Sequence, residues 1–226
     1  MQENLLDSKN FAKVKSIAMV AVIIAILAII MIPLPPIILD IFLVSSILIS
    51  VLVVLMATKF SKSINLSIFS TIILVIVLFK LALNVATTRQ ILSHGHENAV
   101  SNIIESLGQL IVGGNMVVGV IVFCILVFIN FFVVIKLDHD KKLEAIAKFI
   151  KGDAIAGIII TCSNIIGGVL IGVFHHNMQM QESVRVFTIL TIGDGVSQII
   201  LSLIIVATFA IIARDSKDNA LLQNNF

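Results

Sequence analysis

Tryptophan and tyrosine are absent from all 226 residues. The chain therefore cannot build the aromatic belt that usually marks the two faces of a membrane-spanning protein. Phenylalanine and lysine are left to serve at the interfaces. Charge is scarce too: Asp, Glu, Lys and Arg make up 12% of the residues, against roughly 25% in soluble domains. The only cysteines, Cys124 and Cys162, lie inside apolar runs, which reads as packing rather than a disulfide framework or metal site. No Walker loop, dinucleotide fingerprint or HExxH string occurs, so the residues point to no enzyme, cofactor or nucleic-acid partner.

What the chain has instead is long apolar runs, with 59% hydrophobic residues overall. A helix needs about 20 apolar residues to cross a bilayer. Barrel strands would alternate polar and apolar over about 10 residues, and these runs do not. The reading is an all-α polytopic membrane helix bundle of about six transmembrane helices. Expected spans are 17–32, 37–57, 64–86, 110–135, 154–174 and 186–213, between tails at 1–16 and 214–226. Pro33, Pro35 and Pro36 break the first pair apart as a tight turn. Most of the lysines, from Lys9 to Lys62 and from Lys136 to Lys151, fall on one side if both termini are cytoplasmic; Arg89 and Arg185 fall on the other. That is the positive-inside bias. It also accounts for the basic segment 136–152.

Inside these runs sit a few costly charges. Asp194 lies between Gly193 and Gly195 in the last span. A carboxylate there costs roughly 2.5–3.5 kcal/mol on insertion scales unless it faces protein or water. Thr191, Asp194, Gln198 and Ser202 recur at helical spacing and form one polar stripe. Lys80 interrupts the third span. Counting from the span ends, Lys80 and Asp194 both lie roughly 10 Å deep at 1.5 Å per residue. The expectation is that they share one interior, either as an ion pair or with each satisfied separately. The fifth span carries Asp153, Gly157, Thr161, Asn164, Gly168 and Gly172 along one face. Gly168, Gly172, Gly193 and Gly195 would let neighbouring helices come close. His94 and His96 read as a solvated loop rather than a metal site, and His175 and His176 as interfacial residues.

Several strings then come in a telling order: IPLPPIILD (32–40), LALNVATTR (81–89), HGHE (94–97), GQLIVGGN (108–115), KFIKGDAIAG (148–157), NIIGG (164–168) and LTIGDG (190–195). Together they resemble the membrane domain of the FHIPEP (FlhA/SctV) export-gate family of flagellar and virulence type III secretion systems. The resemblance implies a multi-pass protein of the bacterial inner membrane that helps pass substrates to an export channel and couples export to the proton-motive force. It implies a homo-oligomeric ring, other export-apparatus membrane proteins as partners, and exported substrates if a soluble domain is supplied elsewhere. Arg89, Lys151, Asp153 and Asp194 match charged positions of the family's functional set, and Lys80 stands where an arginine is usual. Between the fourth and fifth spans, residues 142–147 resemble the start of the family's long loop and then run directly into Lys148. The expectation is a truncated membrane domain. An inactive scaffold and an unrelated proton- or ion-coupled carrier are the alternatives.

Overall fold

A computed structural model describes residues 20–60, 66–97, 99–137 and 143–223. The expected tail 1–16, the start of the first span and residues 138–142 of the basic segment lie outside the described residues. Among the described residues every regular element is helical. In order they are α1 (Val20–Met31), α2 (Pro36–Phe60), α3 (Leu66–His94), a 3-10 turn (Gly95–Glu97), α4 (Asn102–Val112), α5 (Met116–Ile135), α6 (Glu144–Phe174) and α7 (Met180–Gln223). Five of these, α2, α3, α5, α6 and α7, are long and apolar enough to cross a membrane. The chain is a multi-pass membrane protein.

α7 is the axis. It touches α2, α3, α4, α5 and α6, and residues Leu190–Ile199 are buried without interruption. Helices α2, α5 and α6 instead turn rows of Ile, Leu, Val and Phe outward, as helices bathed in lipid do. Thus α7 carries the polar stripe where lipid cannot reach it. One end of the bundle holds the α1–α2, α4–α5 and α6–α7 turns and the 3-10 turn. The opposite end holds the end of α2, the start of α3, the end of α5 and the start of α6.

The element boundaries correct the expected spans in three places. The expected fourth span, 110–135, is two helices. Gly113, in the left-handed region at φ 53°, donates its N–H to Gln109 O at 2.9 Å and closes α4. The Asn115 side chain then accepts from the N–H groups of Val117 and Val118 and opens α5. A glycine C-terminal stop followed by an asparagine cap is a strong break, and its apolar flanks hide it from a hydropathy window. Second, α3 runs on through His94, so Arg89 is helical and not in a loop. Third, α6 starts at Glu144, ahead of the expected 154, so Lys148, Lys151 and Asp153 lie on the helix.

α4 is short, and it runs antiparallel to α7 in close contact. A Cβ on Gly193 would strike Ile104 O, and one on Gly108 would strike Ile189 O. With Ile104 opposite the deeper residue, α4 starts inside the bundle and climbs back out. Irregular backbone at such depth must be satisfied by protein. Here the Gln90 side-chain oxygen accepts from Ser101 N–H at 2.9 Å. The Asp40 carboxylate accepts from Ser101 Oγ and from the N–H groups of Asn102 and Ile103, placing a negative charge at the positive end of α4.

This crossing leads to a paired prediction. Gly108→Ala forces a methyl against a backbone carbonyl and should cost about 1–3 kcal/mol by overpacking. Gly157→Ala has open space around the new Cβ and should be neutral or stabilising by up to about 1 kcal/mol through helix propensity. Denaturant unfolding in detergent measures both; equal effects would contradict the crossing.

Candidate functional site

Three ionisable side chains are nearly sealed inside the bundle: Lys80 at 4% exposure, Asp153 at 6% and Asp194 at 3%. The expected partnership of Lys80 with Asp194 is not the direct one. The Lys80 ammonium donates to Asp153 Oδ2, joining α3 to α6. Lys80 and Asp194 line the same space, but the ammonium's direct partner is on α6, not α7. Because α6 begins a full nine residues before Asp153, this carboxylate lies about 14 Å along the helix, at 1.5 Å per residue, well beyond the interface where the sequence seemed to put it.

Asp194 is the neighbour of that pair. Its Oδ2 accepts from Asn164 Nδ2 of α6 at 3.5 Å, a long bond. Thr87 and Gln198 flank the carboxyl group, and Lys80 is close enough to act on it electrostatically. Lys80, Asp153 and Asp194 all line one small space of ≈ 40 Å³, together with Asn84, Asn130, Thr161 and Gln198. A water needs about 10–15 Å³ measured this way, so the space suits about three. The walls also offer hydrogen-bonding capacity. Asn130 Oδ1, Asp153 Oδ1, Asp194 Oδ1 and both polar atoms of the Gln198 amide are buried with no protein partner. Buried polar atoms of this kind are ordinarily satisfied by ordered water.

Asp153 also lines a larger, mostly apolar groove between α3 and α6, ≈ 550 Å³, together with Lys148. One residue thus borders both spaces.

The other expected residues stand elsewhere. Lys151 is half-buried on α6 and does not line the polar space. Arg89 is at the turn end. Its guanidinium donates to Ile30 O at 3.2 Å, Met31 O at 3.0 Å and Ile32 O. These are carbonyls at the end of α1, left unpaired where Pro33 and Pro35 interrupt the chain, and a cation there is doubly favoured. Of the polar stripe on α7, Asp194 and Gln198 reach the polar space, while Thr191 Oγ turns back to Phe187 O at 2.6 Å. A Cβ on Gly168 or Gly172 would strike Phe187 or Ser183, and one on Gly195 would strike the Phe123 ring at 2.5 Å. Cys124 and Cys162 are free and exposed, not packed inside. They line one apolar groove between α5 and α6.

Sequence reasoning missed Asp40, Gln90 and Asn84. Asp40 carried a signal, an acid five positions into α2, but its target, the start of α4, was invisible because 87–109 lay outside every expected span.

The ion pair carries its own prediction. Lys80→Met alone leaves Asp153 buried and unpaired and should cost about 3–5 kcal/mol, whereas adding Asp153→Leu should return most of it. Unfolding of the two variants in detergent tests this; equally poor stability of single and double variants would contradict the pairing.

With this geometry in hand, comparison with known proteins is specific. The chain matches the FHIPEP family over residues 26–137 and 143–226. It is 40% identical to the flagellar biosynthesis protein FlhA of Helicobacter pylori strain J99, over 93% of this chain and 36% of that protein. It is 36% identical to FlhA of Escherichia coli K12, over 83% of this chain and 34% of that protein. Against FlhA of Bacillus subtilis 168 the values are 35%, 84% and 35%. The chain spans about a third of the length of the curated relatives it matches. The H. pylori match runs over 261 residues, more than the 226 of the whole chain, so that relative has extra residues within it, and the family match itself is interrupted between 137 and 143. No solved structure matches. Spanning both sides of that interruption and most of the helical bundle, the match shows that the chain belongs to the FHIPEP family.

Proposed function

We propose that this chain is a membrane component of a type III protein export apparatus in the bacterial inner membrane, and that Asp194 and the Lys80–Asp153 pair take up and release protons as export proceeds. The observation that carries the reading is the convergence of two acidic residues and one lysine on a single small space within the bundle. Ionisable groups at this depth are expensive, and they mark ion or proton pathways more often than structural contacts. Flagellar biosynthesis proteins as relatives support the export setting.

The chemistry runs through this chain's own atoms. Lys80 donates to Asp153 across the α3–α6 interface. A proton arriving on Asp194 removes that group's negative charge and leaves the Lys80–Asp153 pair to balance itself. Asp153 borders both the polar space and the α3–α6 groove, which makes it the relay between Asp194 and the end of the bundle that carries Lys59, Lys136 and Lys148. That lysine-rich end is the cytoplasmic one by the positive-inside bias. Lys151, beside Asp153 on α6, raises the positive potential at the relay's exit. Arg89 acts indirectly by fixing α1. Gly168, Gly172, Gly193 and Gly195 hold the helices close enough to seal the space. The partners are other export-apparatus membrane proteins and further copies of this chain in a ring. Substrates would be met through a soluble domain.

Asp194→Asn keeps the shape and the Asn164 contact but cannot exchange a proton. Secretion of flagellar or needle subunits by the native host should fall at least tenfold, with the variant present in the membrane at the parent's level. Secretion at the parent's rate would overturn the proton-coupling role and leave a scaffold.

A further inference from the structure

Four imidazoles gather at the turn end of the bundle. His94 ends α3, His96 lies in the 3-10 turn, and His175 and His176 follow α6. Two of them meet face to face. The His96 and His176 rings stack with centroids 3.4 Å apart and planes within 17°. His175 leans on His176 at 4.7 Å. Both stacked rings are held by rigid backbone. Gly95 lets the 3-10 turn lie against Phe187 and Leu190 of α7. The α6–α7 turn is closed by Met178 N–H donating to Gly172 O at 2.9 Å and by Asn177 in the left-handed region at φ 52°.

The surroundings disfavour two charged rings. His96 Nδ1 is buried and has no hydrogen-bond partner among the described residues. Its Nε2 stands 3.4 Å from the Glu97 carboxylate, the one anion acting on His176 among the described residues. His175 faces it from the end of α6 and adds positive charge when protonated. Arg185 and Glu182 of α7 and Glu105 of α4 line a separate crevice between those two helices. Two imidazolium rings in this stack would repel at van der Waals distance.

We infer that the His96–His176 stack is an acid-sensitive latch that clamps the 3-10 turn of the α3–α4 connection to the α6–α7 turn at neutral pH and releases it on acidification. The direction follows from linkage. Desolvation first, then the charges of His96 and His175, hold the His176 pKa below its ordinary value, with Glu97 pulling the other way. The unlatched state, in which the His176 imidazole titrates near its ordinary 6.5, then binds more protons. Latching is complete above that pH and weakens as pH falls below it. The consequence is mechanical. The 3-10 turn leads directly into Val100 and Ser101 at the buried start of α4, so freeing it loosens the re-entrant segment without touching the Lys80–Asp153 pair. This latch is independent of any export role.

Amide hydrogen exchange on the chain in lipid nanodiscs, at pH 7.5 and 5.5, reads the latch. After correction for the intrinsic pH dependence of exchange, peptides covering 94–101 and 175–179 should exchange faster at pH 5.5. The gain should be severalfold and at most about tenfold, the limit for one imidazole of ordinary pKa taking up a proton over this pH step. Peptides from the middle of α7 should not change. The double variant His96→Phe with His176→Phe keeps stacked rings that cannot titrate and should lose the acid response. Should that variant fail to fold, His176→Gln alone should flatten it. An unchanged response in either variant, or no response in the parent chain, would overturn the latch.

Discussion

Lys80 and Asp153 neutralise one another across the α3–α6 interface, inside a bundle whose outer faces are nearly all hydrocarbon. Either charge left there without its partner would be costly. Removing one partner from a buried pair is far costlier than removing both, so the pair constrains which helices can be neighbours. α3 and α6 must meet at this depth, and α7 must seal the space behind them. Asp194 is admitted to the same interior because Asn164, Thr87 and Gln198 line its side of the space. The polar chemistry of the protein is concentrated where α7 is most completely buried.

The same constraint shapes the turn end. α4 begins below the surface, where every unpaired N–H is expensive. Asp40 and Gln90 reach across from α2 and α3 to satisfy its start, and Arg89 does the corresponding service for the end of α1. Three polar residues from spanning helices therefore hold the irregular backbone that joins them. Close glycine contacts let α4 fit against α7 with no side chain between. Arg89, which the sequence grouped with Asp194, belongs to this second system. The two systems meet on α3, where Lys80, Asn84 and Thr87 face the interior and Arg89 and Gln90 face the turns.

Much of the architecture was legible from hydropathy. The helices α2, α3, α5, α6 and α7 stand out as apolar runs, and Lys80, Asp153 and Asp194 stand out as charges within or beside them. Two things were hidden for physical reasons. A hydropathy window measures the length of an apolar run and is blind to a break with apolar flanks, so Gly113-Gly114-Asn115 vanished into one span. A helix also outruns its apolar core: the amphipathic turn from Glu144 to Lys151 extends α6 and carries Asp153 inward. Partner choice was hidden as well. Sequence places a residue along its helix axis, but whether Lys80 reaches α6 or α7 depends on helix order around the bundle. That order is set by packing such as Gly195 against Phe123.

Charge exchange is the direct test of that order. Lys80→Asp combined with Asp153→Lys reverses the pair while keeping one acid and one base in place. Lys80→Asp combined with Asp194→Lys reverses the alternative pair. The amount of folded chain recovered from membranes, measured by detergent size-exclusion chromatography, distinguishes them. The account predicts recovery near the parent level for the 80/153 reversal and little for the 80/194 reversal. Recovery by the 80/194 reversal with none by the 80/153 reversal would contradict it.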